Sequence, residues 1–325
     1  MVIRTKFLII SDTHGQHLVQ SNLRADVAIH CGDLTEESKI QEFRDALDLL
    51  KSIQAPLKLV IAGNHDFTMD LPTFEANVSN ADEPLDAELV KMEYGDYGEA
   101  KEIFENAKAH GIHFLEEGMH RFELENGALL TVYASPCTPS LNDSWGFQYR
   151  PQQHEFTMTN VDLVMTHGPP HGIMDLTESR TRAGCPNLFS AVARAQPKLH
   201  CFGHIHEGWG AKLVGWRDTI SPSPSHFTDI DNDRSLVIEK LSNLKKTKFD
   251  TAKTAHEKFR KRTALHAQGF IRTSHCSGDE NPLQQGQTIF VNAAIEGTTE
   301  EYPRHLPWLV EIELPPANLE RDEQS

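Results

Sequence analysis

The feature that most constrains this chain is an apolar run that stops abruptly at a polar cluster, repeated along the sequence. Phe7-Leu8-Ile9-Ile10 ends at Ser11-Asp12-Thr13-His14-Gly15. Such a run, closed by a turn residue, reads as a buried strand. It delivers an Asp and a His, two residues apart, to the strand end, where strand alternation predicts both side chains on one side. Residues 27–31 run the same way into Gly32-Asp33, residues 57–61 into Gly63-Asn64-His65-Asp66, and residues 161–166 into His167. A fifth run, 199–202, precedes Gly203-His204-Ile205-His206. Open α/β sheets bind ligands beyond the carboxyl ends of their strands. Strand ends that all carry Asp, Asn or His therefore predict one shared site.

Between these strands the pattern switches to helical spacing. Ile40, Phe43, Leu47 and Leu50 predict an amphipathic helix over 39–53, with Thr35 and Glu36-Glu37-Ser38 as capping and acidic first-turn residues. A second helix is predicted over 99–110 with Ile103, Phe104 and Ala107 inward, and a third over 187–195. Glu125-Asn126-Gly127 marks a hairpin between strands at 121–124 and 129–134. Strands are also expected at 112–115, 288–292 and 307–314. Strand–helix–strand alternation predicts an α/β fold with parallel pairing and right-handed crossovers. Two stretches break the rhythm. Residues 68–97 read as a partly helical surface insertion. Residues from about 222 to 286 read as a polar excursion, a solvated loop or a basic helix in LKKTKFDTAKTAHEKFRKRTALHAQ. The expectation is one domain over 1–325 with insertions at about 68–97 and about 222–286.

The formal net charge of −16 disfavours extended nucleic-acid binding but leaves a phosphate substrate open, because metal ions can supply positive charge. Cys31, Cys137, Cys185, Cys201 and Cys276 are odd in number, scattered and contain no CxxC, which argues against a disulfide framework or a zinc-thiolate site and predicts reduced thiols and a cytoplasmic protein. Cys31 reads as a small buried hydrophobe. No run reaches transmembrane length, so no membrane contact is expected.

Asp12, His14, Asp33, Asn64, His167, His204 and His206 form a mixed oxygen and nitrogen donor set. It suits Mn, Fe, Zn, Co or Mg rather than a thiolate-loving ion. Seven donors are too many for one ion and fit two divalent ions roughly 4 Å apart, a pair able to clamp a phosphoryl group. His30, His110, His113, His120 and His200 read as structural. Trp145, Phe147 and Trp209 are candidates to stack on a nucleobase, and His171 to touch substrate. Asn142 and Arg150 read as solvent-facing.

In their order, Asp12-x-His14, Gly32-Asp33, Gly63-Asn64-His65-Asp66, His167-Gly168 and Gly203-His204-x-His206 resemble the calcineurin-like metallophosphoesterase superfamily. ISDTHG, THGPP, GHIHEGWG and TIFVNAA are similar to its metallophosphoesterase-domain-containing group, whose relatives include class III cyclic nucleotide phosphodiesterases. The segment 229–285 departs from the compact members of that group. The resemblance implies a two-sheet β-sandwich flanked by helices, with a dinuclear metal site at the strand C-terminal ends. It implies Asp12, His14 and His206 on a first ion, Asn64, His167 and His204 on a second, and Asp33 bridging. His65 would be the general acid and Asp66 would orient it. His204, which some members lack, is present here, pointing to a complete site. Glu36 stands where purple acid phosphatases carry Tyr, and GDLTEES lacks the Asp-Arg-Gly of protein phosphatases. The implied activity is a phosphodiesterase (a hydrolase of EC class 3.1) acting on a small phosphodiester such as a cyclic nucleotide. The alternatives are a phosphomonoesterase, a nuclease, or a low-turnover nucleotide-binding scaffold.

Overall fold

Alternation along the first strand sets the layers of the molecule. In the computed structural model, which describes residues 2–16, 23–141, 144–300 and 302–317, β1 (Ile3–Ile10) turns Phe7 and Ile9 into a core between two sheets. Leu8 faces the other way, against Ala28 and Leu309. β2 (Val27–Cys31) and β3 (Leu57–Ile61) pair in parallel beside β1. α1 (Ile40–Ser52) crosses between them and buries Ile40, Phe43, Leu47 and Leu50 against Val60 and Phe104, the predicted face. Each such side chain contributes about 1.5–3 kcal/mol by leaving water. The start of α1 differs from the expectation. The Glu42 carboxylate, not Ser38, accepts the Lys39 N–H at 2.9 Å, while the Ser38 hydroxyl accepts from the Thr68 N–H at 2.9 Å.

Residues 68–97 are partly helical, with α2 (Leu71–Ser79) and α3 (Ala87–Tyr94). α4 (Glu99–Glu105) continues into a 3-10 turn at Asn106–His110 and buries Ala100, Phe104 and Ala107. β4 (Ile112–Phe114) then closes the first sheet's edge beside β3. β5 (Gly118–Glu123) and β6 (Leu129–Ser135) make the predicted hairpin in the second sheet. β7 (Thr138–Pro139) and β8 (Gln148–Tyr149) form a two-residue ribbon. β9 (Leu163–Thr166) and β10 (Leu199–Phe202) run parallel, with α5 (Pro186–Ala195) laid on their outer face through Leu188, Phe189 and Val192.

The stretch expected as a solvated excursion does not stay outside the sheets. β11 (Gly210–Trp216) pairs antiparallel with β12 (Ile230–Lys240), an exposed edge strand of the second sheet. α6 (Ala252–Gln268) follows, a basic helix with no buried residue. β13 (Ile271–Ser274) then joins the first sheet. β14 (Gln287–Asn292) inserts between β10 and β11. A small hairpin of β15 (Glu296–Thr299) and β16 (Tyr302–Arg304) leads to β17 (Trp308–Leu314), antiparallel to β1. The first sheet has the order β13-β17-β1-β2-β3-β4, and the second β12-β11-β14-β10-β9-β6-β5. Their inner faces share one core, and α1 and α5 cover the two outer faces. This is the expected two-sheet sandwich flanked by helices.

His200 lies in that packing, fully buried, with Nε2 2.9 Å from the Thr166 hydroxyl. Burial pushes its imidazole down to about 3 from an ordinary 6.5, so the fold holds it neutral. In the window between those values the unfolded chain binds the extra proton. The stability owed to neutral His200 is therefore fully present above pH 6.5 and is lost as pH falls toward 3. In urea unfolding from pH 7 to pH 4, His200→Gln is expected to show a shallower loss of midpoint with acid than the unaltered chain.

Candidate metal centre

The five strand ends reach one rim because the loops that follow them are sutured to each other. Asp12 N–H donates to Gly32 O at 2.9 Å and His14 N–H to Asp33 O at 3.1 Å, joining the β1 and β2 ends. Ser11 N–H donates to Ala293 O at 3.0 Å, and Glu296 N–H to Asp12 O at 3.0 Å, joining β1 to the β14 end in the other sheet. Gly203 N–H donates to His167 O at 2.9 Å. Strand alternation does not pair Asp12 with His14. Both lie past the end of β1, with φ of 51° and 45°, so a left-handed turn and not strand alternation places them. Asp33 (52°) and His204 (64°) are also left-handed. Four non-glycine residues held in this region mark strain that the surrounding structure must support. Glycines allow the close approach. A Cβ on Gly63 would stand 2.3 Å from Asp33 Oδ1, and one on Gly203 1.8 Å from Asp12 Oδ2.

The donor atoms fall into two groups. In one, atoms of Asp12, His14 and His206 lie within 4.8 Å of one another; in the other, atoms of Asp33, His167 and His204 do. His206 Nε2 is 3.3 Å from Asp12 Oδ1. His167 Nε2 is 3.2 Å from Asp33 Oδ2 and 3.0 Å from Asn64 Oδ1. His14 Nε2 is 3.9 Å from Asp33 Oδ2, so this oxygen faces both groups.

The donor set fits divalent cations. Both His14 ring nitrogens are buried without a hydrogen-bond partner, although Glu36 and Glu296 carboxylate oxygens stand 2.9 and 3.3 Å away in directions a ring N–H does not serve. Burial opposes ionisation of Asp12, but hydrogen-bonded His206 and the charge of His167 hold it down at about 2. Asp33 is also buried, and His167, His14 and His65 hold it far below the usual carboxylate range. Burial lowers His167, yet Asp33 and Asp12 raise it to about 9, and Asp12 does the same for His206. Burial and the neighbouring His167 push His204 down to about 4. The rim is thus a buried pair of ionised carboxylates that attracts positive charge from whatever lies beside it, with an amide oxygen and imidazoles as further donors.

Residues 5–208, which contain every strand-end motif, match the family described as calcineurin-like phosphoesterase. The chain belongs to the calcineurin-like phosphoesterases. It is 32% identical to metallophosphoesterase domain-containing protein 1 of Homo sapiens over 226 residues, and equally to that of Mus musculus; the match covers 67% of this chain and 66% of the relative. It is 30% identical to UPF0046 protein T07D4.2 of Caenorhabditis elegans over 273 residues, covering 79% of this chain and 66% of that one. The matches thus span just under two thirds of these relatives' length.

Around this candidate centre, several expected roles change. His65 lies at the rim, its ring edge-on to His14 at 4.7 Å. Its Nδ1 donates to the Glu36 carbonyl at 2.7 Å, not to Asp66. The Asp66 carboxylate is spent elsewhere. It accepts from the N–H groups of Gly63, Leu34 and Thr35 at 2.8, 3.1 and 3.0 Å and from the Thr35 hydroxyl at 2.8 Å, strapping the β2 and β3 loops together. Trp209 is fully buried, donates Nε1–H to Leu306 O and stacks on Trp308, so it is a core residue and not a base platform. Phe147 packs onto the outer core beneath α1 and α4. His171 bonds Gly184 O and rings with His226, facing that loop. Trp145 alone of these lies over the centre, 4.2 Å from the His65 ring. Asn142 lies outside the described residues. Arg150 Nη1 donates to Leu141 O. Sequence reasoning did not assign Glu36 and Glu296 to the site. Glu296 carries a signal that was available: it follows β14, a strand ending at the same rim.

Asp66→Asn turns one acceptor oxygen into a donor facing bound N–H groups. It is expected to destabilise the fold by about 1–3 kcal/mol per orphaned group in urea unfolding. The pH dependence of any phosphoester cleavage is expected to stay that of the unaltered chain, because His65 keeps the Glu36 carbonyl. A shifted profile with unchanged stability would restore Asp66 as the His65 partner.

Proposed function

We propose that this chain is a metal-dependent phosphoesterase that hydrolyses a small phosphodiester, with a cyclic nucleotide as the best-suited class. The observation that carries this reading is the pair of donor groups facing one Asp33 oxygen, with the His65 ring at their edge. Asp12, His14 and His206 would hold one divalent ion, and Asn64, His167 and His204 the other. Asp33 Oδ1 already accepts the His65 N–H at 2.8 Å, so Oδ2 is the oxygen the two ions would share. When bound, such a pair supplies Lewis acidity and an activated water for in-line displacement at phosphorus. Mn, Fe, Zn, Co and Mg all suit the donors, and Mn is the ion to try first.

The protein's own residues orient the rest. A carbonyl only accepts, so the proton on His65 Nδ1 is fixed by Glu36 and Nε2 is the nitrogen free to trade a proton. That nitrogen would protonate the leaving oxygen. Trp145 packs on the same ring and is half-buried, which leaves indole surface for a nucleobase. The acidic chain favours a small substrate over a long polynucleotide. No helix among the described residues is long and apolar enough to cross a membrane. The five cysteines are all unpaired, which supports a cytoplasmic setting.

The test uses metal-stripped protein with Mn²⁺ restored, assayed on bis(p-nitrophenyl) phosphate and p-nitrophenyl phosphate. The diester is expected to be cleaved faster, and Asp33→Ala to abolish cleavage and Mn²⁺ uptake together. His65→Ala is expected to keep its metal and lose about 10²–10⁴-fold in kcat. Trp145→Ala is expected to raise KM for cyclic nucleotides more than for the small aryl diester. Faster monoester cleavage would make the protein a phosphomonoesterase. Absence of cleavage with any metal, in folded protein that binds nucleotide, would favour a binding scaffold.

A further inference from the structure

We infer that Glu117, Cys137 and His154 form a second and separate metal site, built for one Zn²⁺ ion, that pins the base of the loop carrying Trp145. Their donor atoms lie within 4.8 Å of one another. His154 Nε2 is 2.8 Å from Glu117 Oε1, and Cys137 Sγ is 3.7 Å from Glu117 Oε2. In a tetrahedral zinc site, bonds of about 2.0–2.3 Å leave donors about 3.3–3.8 Å apart. The Cys137–Glu117 pair already stands at that spacing, the His154–Glu117 pair is closer, and torsional adjustment of His154 would open it to the same distance.

The surroundings hold each donor in place. The Tyr133 hydroxyl donates to Glu117 Oε1 at 2.9 Å, which fixes the carboxylate plane. The His154 ring lies against Tyr149 and Phe156, each 4.7 Å away. Its carbonyl accepts Asn187 Nδ2–H at 2.9 Å. Cys137 N–H donates to the Ser135 hydroxyl at 3.3 Å, where the chain leaves β6. Outer partners of this kind orient ligands in metal sites. A thiolate, an imidazole and a carboxylate with one open position match zinc better than the hard ions, whereas the strand-end centre contains no cysteine. The Glu117 and His154 side chains are 31% and 22% exposed, which gives an ion a way in.

The placement gives the site a consequence. Cys137 and His154 bracket the segment whose ends pair as the β7–β8 ribbon. Trp145 sits in that segment, over His65. An ion held by both flanks would close this loop and reduce the entropy lost when Trp145 meets a ligand. The ligand assignment itself does not depend on the activity proposed above.

The test is a Co²⁺ titration of the metal-stripped full chain, read in the near ultraviolet. A thiolate-to-cobalt charge-transfer band is expected at micromolar Co²⁺, bleached by added Zn²⁺. In Cys137→Ser the band is expected to vanish and bound metal to fall by one ion per chain, with circular dichroism unchanged. Should Cys137→Ser fail to fold, His154→Gln serves: it keeps the thiol and is expected to weaken Co²⁺ binding at this band at least about tenfold. Lack of a band, a band that persists in Cys137→Ser, binding unchanged in His154→Gln, or saturation only at millimolar Co²⁺, as an adventitious ion would give, each overturns the inference.

Discussion

The bond on which this site most depends is the one from the His204 N–H to the Asp12 carboxylate, at 2.9 Å to Oδ1 and 3.1 Å to Oδ2. Asp12 follows β1 in one sheet and His204 follows β10 in the other. A core packed face to face aligns two sheets only approximately. The candidate metal donors come from both, so their relative placement has to be fixed at the rim. The Asp12–His204 contact fixes it together with the Ser11–Ala293 and Glu296–Asp12 bonds, and Gly203, with no Cβ, lets the β1 and β10 loops come close enough to make it. The strained φ of Asp12, Asp33 and His204 follows from the same demand: short loops must turn sharply to aim their side chains into one small volume.

The electrostatics follow from that crowding. Two buried carboxylates a few ångströms from several imidazoles keep their charge because protonated histidines, His167 and His206 foremost, stand beside them. Burial alone would neutralise them, so the site is stable as an anion only with positive charge bound. This links folding at the rim to its chemistry. It also explains why Asp66, close by but turned away, serves structure: its oxygens satisfy loop N–H groups that would otherwise be orphaned under the same crowding.

Much of this was legible in the sequence, for identifiable reasons. Strand ends announce themselves because apolar runs such as Phe7 to Ile10 must stop where the sheet stops. The α1 face is read from Ile40, Phe43, Leu47 and Leu50 because burial repeats at helical spacing. What was missed depends on contacts distant in sequence. Asp66 finds Leu34 and Thr35 across a crossover helix. Trp209 looks like a site aromatic by its nearness to His206, but the chain turns it into the core against Trp308. β12 hides as a loop because its edge position leaves most of its side chains in water. Glu117, Cys137 and His154 meet only because the β5–β6 hairpin and the loop after β8 converge, and nothing in their spacing signals it.

The central claim is that Asp33 stands between two metal ions. It is tested most directly by a crystal structure of the Mn²⁺-soaked protein with anomalous data at the manganese edge. The account predicts two peaks roughly 3.5–4 Å apart, one beside Asp12, His14 and His206 and one beside Asn64, His167 and His204, with Asp33 Oδ2 between them. A single peak, or ions bound without Asp33, would contradict it.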